Sequence, residues 1–369
     1  PDVVFNHTIA QPIIKFIGIT RAEDLFLPLT FLFGCAAIFA AVMRLFMLWA
    51  ITRLSYATGA DLSLNIYKRT LYQPYEVHIG RNSSEVISGI VTKANLAISS
   101  IIMPSLTIIS SFLLMTSIIF ALITVDPFVA LIAFSGFGFL YLLIAIISSR
   151  KLLKDGRRVA KESVQVVKSL QEGLGGIRDV QLDNSQEIYC EVYRKADHAL
   201  RRAQGNNTFI GQCPKYIVEA LSMLMIAALA YIMSEQSGGL AKSIPVLGAL
   251  ALGAQRLLPI LQQAYSGYTL IRGAQASLDD ALELLDQELP DFAIQPVAEP
   301  LAFTKKITLH KISFSYGFQM PCVLKSCSLD IPKGSCIGFI GATGCGKSTL
   351  LDIIMGLLLP TKGTIKVDG

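Results

Sequence analysis

The chain has 369 residues, of which 52% are hydrophobic and 16% charged, and its mean hydropathy is +0.53. A soluble domain carries about a quarter charged residues, so this composition excludes a wholly soluble fold and turns much of the chain towards lipid. The net charge of +5 matters by its placement rather than its size, and no nucleic-acid partner is expected from it.

Residues 1–24 read as a loop. Leu25–Ile51 is the first apolar stretch able to cross a bilayer, which takes about 20 residues. It is too long for a signal peptide and no small-residue cleavage site follows it. Leu96–Val125 and Pro127–Ile147 come next, parted only by a tight turn at Asp126, the one formal charge between Asn95 and Ser148. Tyr216–Met233 and Leu240–Leu261 complete five expected spans, joined by a turn over Ser234–Gly239. Ser149–Gly205 holds twelve Lys/Arg against eight Asp/Glu, and Arg53–Lys93 holds five more Lys/Arg. By the positive-inside rule the loops 52–95 and 148–215 are cytoplasmic and the two turns external, in a multi-pass protein of the cell membrane. An odd count of spans leaves the N-terminus outside. With Pro at position 1, the expectation is a lost first helix and an internal stretch of a longer polypeptide.

The polar loops carry helical spacing over Leu152–Gln171 and Gln186–Gln204, which continues the spans into the cytoplasm. Gly173, Gly175 and Gly176 interrupt it before Ile177–Val180. Leu278–Leu289 is a further amphipathic helix, closing a membrane domain over 1–289. Pro290 ends it and opens a linker, 290–305. From Lys306 the pattern turns strand-like, at Ile307–Tyr316 and Ser328–Ile331, with Cys336–Ile340 expected as a short buried strand and another beginning at Thr364. The seven cysteines show neither metal-ligand spacing nor a disulfide framework.

That short strand runs into Gly341-Ala342-Thr343-Gly344-Cys345-Gly346-Lys347-Ser348-Thr349, which fits G-x-x-x-x-G-K-[ST] between a strand and a helix. Glycines allow the backbone N–H groups to curl round a polyphosphate, and a helix N-terminus adds the positive end of its dipole. Gly341, Thr343, Gly344, Cys345, Gly346 and Thr349 form the cradle. Lys347 reaches the β- and γ-phosphates, and the Ser348 hydroxyl ligates Mg²⁺. The motif predicts that the chain binds a nucleoside triphosphate with Mg²⁺. Cys345 is a candidate for oxidation-sensitive binding.

These parts, in this order, resemble an ATP-binding cassette (ABC) exporter half-transporter. The implied fold is a polytopic α-helical membrane domain with five of six helices present, followed by the N-terminal part of a P-loop α/β nucleotide-binding domain, 306–369. The resemblance implies that the triphosphate is ATP and that Tyr316, 25 positions before Gly341, stacks on adenine. The segments Asp330–Gly334 and Pro360–Ile365 match the family's pattern as well. It implies coupling helices by position at Tyr72–Asn82 and Asn184–Tyr193. It also implies a second half-transporter as partner, an ATPase in the full-length parent, and catalytic residues beyond Gly369. Pro74–His78, Gly175–Val180 and Leu252–Pro259 resemble flippases for lipid-linked oligosaccharides and related exporters. The implied cargo is then an amphiphile, with a lipid-linked oligosaccharide ahead of a drug, lipid or peptide. A nucleotide-gated channel or regulator on the same scaffold is the alternative. Charges inside spans are functional by default. Arg44, roughly 28 Å along its helix, and Arg256, roughly 24 Å along the last, are therefore candidates for an anionic cargo headgroup. Snorkelling is the plainer account of both. Glu219 is expected to pair with Lys215 one turn away.

Overall fold

A computed structural model describes residues 26–125, 127–234, 239–290, 293, 299–317 and 320–369. The expected loop 1–24, the Asp126 turn, most of the 234–239 turn and most of the linker lie outside the described residues. The chain divides into two compact units, Pro1–Thr58 and Gly59–Gly369.

The first unit is represented by the opening half of helix α1 (Phe26–Leu71). Its apolar window has a mean hydropathy of 2.2 and none of it is buried. Phe31, Phe33, Phe39, Leu45 and Trp49 all stand exposed, with Trp49 stacked on Phe46 at 5.9 Å. Such a surface suits hydrocarbon, not water. The helix runs 46 residues, about 69 Å at 1.5 Å per residue and more than twice a bilayer's apolar thickness.

The second unit begins with the remainder of α1 and holds the short α2 (Tyr75–Gly80) and a compound helix. That helix comprises α3 (Ser83–Ile87), a π-helical turn (Ser88–Lys93), α4 (Ala94–Ala97), a second π-helical turn (Ile98–Ile102) and α5 (Met103–Val125). Then follow α6 (Pro127–Gly175), the short α7 (Ile177–Leu182), α8 (Gln186–Ser234) and α9 (Gly239–Leu285). Among the described residues, three helices are long and apolar enough to cross a membrane: Phe26–Leu71, Ser83–Phe120 and Ser135–Gly175. The apolar parts of the other two expected spans lie in α8 and α9; in α9 most of those side chains are not described. The helical runs expected over 152–171 and 186–204 are continuous with the apolar stretches of α6 and α8, as the spacing predicts. Gly175-Gly176 ends α6, and α7 is a separate turn and a half before α8 starts.

Close approach and polar bonds hold the bundle. A Cβ at Gly156 on α6 would stand 2.4 Å from the Gly273 carbonyl oxygen on α9, so no larger residue fits that crossing. Phe137, Tyr141, Val218 and Tyr265 form a buried cluster across α6, α8 and α9. Pro214 sits inside α8 and has no N–H to offer the Ile210 carbonyl four residues back. Tyr265 Oη on α9 donates to that carbonyl at 3.1 Å. Gln262 Nε2 donates to the next carbonyl, Gly211 O, at 3.0 Å, and Gln262 Oε1 accepts from Tyr141 Oη at 3.0 Å. Backbone freed by the proline is thus satisfied from a neighbouring helix.

The C-terminal part is a three-stranded antiparallel sheet in the order β2-β1-β3, formed by β1 (Lys306–Phe314), β2 (Leu324–Pro332) and β3 (Lys362–Val367). Helix α10 (Lys347–Ile354) packs Leu350 and Ile353 against Leu309, Ile312, Phe314, Leu324 and Leu358. Lys311 and Ser326 take left-handed backbone at irregularities in the β1–β2 ladder. Two backbone N–H groups there find a hydroxyl: Lys311 N donates to Ser328 Oγ and Ser326 N to Ser313 Oγ.

Two expectations are corrected. Residues 336–340 form no strand and are mostly exposed, Ile340 completely so. A strand exists only by pairing, and β1 already bonds β2 on one edge and β3 on the other, leaving 336–340 without a ladder among the described residues. Asn184–Tyr193 is not a short helix either. Asn184 takes a left-handed turn (φ 50°), Gln186 opens the 49-residue α8, and the separate short helix in this loop is α7. The first such segment, Tyr72–Asn82, does contain a short helix, α2.

Candidate functional site

The glycine-rich loop leads directly into α10. Gly344 (φ 82°) and Gly346 (φ 91°) both adopt left-handed backbone, and Gly346 is the residue that caps α10. A side chain at Gly346 would also meet Leu324 and Val323 at 3.0 Å, so conformation and space both require glycine. Successive turns of this kind point backbone N–H groups into one concavity at a helix N-terminus, a fitting receptor for phosphate oxygens. Lys347 Nζ donates to the carbonyls of Gly341 and Ala342 at 2.8 Å each, folding its ammonium over the loop, with Cys345 Sγ at 3.7 Å. Ser348 lies exposed in the first turn of α10, where its hydroxyl suits a hard, oxygen-seeking cation such as Mg²⁺. Thr343 and Cys345 are exposed on the loop and Thr349 is buried beneath it.

Tyr316 meets this loop from just past the end of β1. Its ring packs edge-on against Phe314, centroids 4.9 Å apart, and its hydroxyl lies 2.8 Å from Thr349 Oγ1. Residues 33 positions apart are joined, and the exposed remainder of the ring (44% exposed residue) flanks the phosphate cradle. The structure therefore brings Tyr316 together with Gly341–Thr349.

Arg44 and Arg256 are not gathered into a site. Arg44 is exposed on α1, in the first unit. Arg256 is exposed on α9 and does not line the cavity that its neighbour Gln255 does. That cavity, about 690 Å³, lies among α5, α6, α8, α9 and the second π-helical turn. Its polar wall includes Gln255, Gln262, Gln263, Lys215 and Glu219, and its apolar wall Met103, Leu258 and Leu270. Lys215 and Glu219 make no ion pair among the described residues. Lys215 Nζ instead stands 5.8 Å from the centroid of the Tyr216 ring. The glutamines were the missed signal: Gln255 and Gln262, two helical turns apart on α9, share one face. Pro214 was the other, since a proline inside a helix frees a carbonyl that needs a donor from a neighbour.

Residues 2–238 match the family described as ABC transporter transmembrane region, and residues 324–369 match ABC transporter. The chain is 28% identical over 177 residues to the mitochondrial iron-sulfur clusters transporter atm1 of Neurospora crassa, covering 47% of this chain and 25% of that protein. It is 26% identical over 232 residues to the ATP-dependent lipid A-core flippase of Chromohalobacter salexigens, covering 61% and 39%. Against the lactococcin-G-processing and transport protein LagD of Lactococcus lactis the identity is 24% over 340 residues, covering 89% and 47%. The chain thus spans between a quarter and about half the length of these relatives. A bacterial Atm1-family ABC exporter with ATP bound shares the fold, with a TM-score of 0.67 at 16% identity over 97% of this chain and 63% of that one. A helical membrane domain that matches the transmembrane family over well over half of the chain, followed by a P-loop segment, places this protein in the ABC transporter family.

Proposed function

We propose that this chain is a subunit of an ATP-driven exporter or flippase of the cell membrane, working with a second half-transporter, its nucleotide-binding part in the cytoplasm. The observation that carries this reading is the union of Tyr316 with the Gly341–Thr349 loop in a chain whose long helices line a cavity with one polar and one apolar wall. In the proposal, adenine stacks on Tyr316 and the loop amides with Lys347 hold the β- and γ-phosphates. Ser348 completes the coordination of Mg²⁺. Nucleotide-driven movement would reach the membrane helices through the short α2 and α7, which cap the cytoplasmic loops in the manner of coupling helices.

The proposed cargo is an amphiphile. The cavity beneath Tyr141 offers amides and one Lys–Glu set beside Met103, Leu258 and Leu270, which suits a polar head with an apolar body. A lipid-linked oligosaccharide is the finer proposal, supported by the likeness to a lipid A-core flippase. Arg44 and Arg256 stay as proposed contacts for an anionic headgroup on its way in from the inner leaflet. The test is ATP turnover and substrate flipping by the full-length protein in proteoliposomes. Lys347→Ala should abolish both, and unchanged turnover in that variant would overturn the nucleotide site.

A further inference from the structure

A second cavity, strongly charged and about 480 Å³ in volume, lies where the cytoplasmic parts of the compound helix, α6 and α9 meet. Four cations line it. Arg81 follows the end of α2, Lys93 closes the first π-helical turn, and Arg157 and Lys161 stand one turn apart on α6. Three carboxylates share the lining: Glu85, Asp280 and Glu283. Lys93 is taken up by Asp280, Nζ to Oδ2 at 2.5 Å, and its side chain is only 9% exposed. The remaining three cations have no carboxylate within 4.0 Å among the described residues, although Glu85 and Glu283 are on the same wall. Arg81 Nη1 is buried with no hydrogen-bond partner. A buried guanidinium nitrogen without an acceptor is costly, and three like charges facing one space repel each other.

We infer that this cavity is a binding site for a small phosphate-bearing anion from the aqueous side. Arginine forks match tetrahedral oxyanions with paired N–H groups, and the space exceeds what a monatomic ion would fill. Glu85 and Glu283 set an upper limit on ligand charge, favouring inorganic phosphate or a phosphate monoester over a long polyanion. Depth excludes a lipid source: Arg157 and Lys161 lie about 15 and 21 Å along α6 from Ile147, where the apolar run ends, beyond the headgroup layer. The anion would tie Arg81, and with it the end of α2, to α6.

The full-length protein in phosphatidylcholine nanodiscs tests this by titration with sodium phosphate against sodium chloride at equal ionic strength, read as the thermal midpoint. Wild type should show a saturable rise. Arg157→Gln with Lys161→Gln should weaken apparent affinity more than tenfold, and Arg81→Lys several-fold. Lys347→Ala should leave the phosphate response intact, which separates this site from the nucleotide loop. Glu283→Gln removes an opposing charge and should tighten binding several-fold, so the site is also tested by a gain in a folded variant. A flat response overturns the proposal, as does a rise that survives in the Arg157/Lys161 variant, one lost with Lys347→Ala, or an affinity that Glu283→Gln leaves unmoved. Phosphatidic acid nanodiscs without free phosphate should give no Arg157-dependent shift; if they do, the ligand is a lipid headgroup and the aqueous assignment fails.

Discussion

Tyr316 carries two separable contacts, a hydroxyl bonded to Thr349 and a ring left open beside the loop. Tyr316→Phe keeps the ring and should leave nucleotide affinity within about twofold, whereas Tyr316→Ala should weaken it about tenfold, the scale of one aromatic stack. Equilibrium binding of a fluorescent ATP analogue measures both, and equal losses in the two variants would mean that the hydroxyl, not the ring, matters. Tyr265 is the matching case in the membrane part. Tyr265→Phe leaves the Ile210 carbonyl without its donor and should destabilise the protein by about 1 kcal/mol, read in a thermal or denaturant melt. The nucleotide residues were legible because they are neighbours in sequence: Gly344, Gly346 and Lys347 declare their turns by type and spacing. Tyr265 and Gln262 act through partners on other helices, and a one-dimensional pattern holds no sign of which helix that is.

At the scale of elements, long periodic runs were read well. Leu152–Gln171 and Gln186–Gln204 prolong their spans as single helices, since helical spacing is a local property. Cys336–Ile340 was misread because apolar, β-prone residues become a strand only where another strand supplies the bonds. The second short helix of the polar loops was placed too late because Gly175-Gly176 was read as an interruption and not as the boundary of α6, with α7 just after it. The sheet edge yields a pH prediction. Asp368, just past β3, accepts N–H bonds from Thr304, Lys305 and Lys306 and the Thr304 hydroxyl. Its carboxyl is held well below the ordinary carboxylate value of 3.8, chiefly by the backbone and hydroxyl of Thr304. A depressed folded-state pKa means that the stabilisation is complete above about pH 4 and fades as pH falls through that range. Amide hydrogen exchange at Lys305 and Lys306 should therefore quicken, relative to neighbouring β1 amides, as pH is lowered from 5 to about 3. Asp368→Asn should remove that dependence. An unchanged profile in the variant would show that Asp368 is not the titrating group.

For the whole molecule, composition and the spacing of apolar runs were enough for the class of fold, because a chain this greasy has few other ways to satisfy its backbone. The cavity was beyond reach of that argument, being made by crossings such as Gly156 against Gly273. One such crossing has a mechanical meaning. A proline in an isolated helix is a place to bend, but Pro214 is stapled: the carbonyls it would free are held by Tyr265 and Gln262 of α9. Bending there costs bonds to a second helix, so the α8–α9 pair should travel as one lever through the transport cycle, with its pivots elsewhere. Spin labels at 209 and 270, both exposed positions, should keep their separation within about 2 Å between nucleotide-free and ATP-trapped protein. In Tyr265→Phe with Gln262→Leu the same pair of labels should report a broadened distribution, as the staple opens and the proline recovers its freedom to flex.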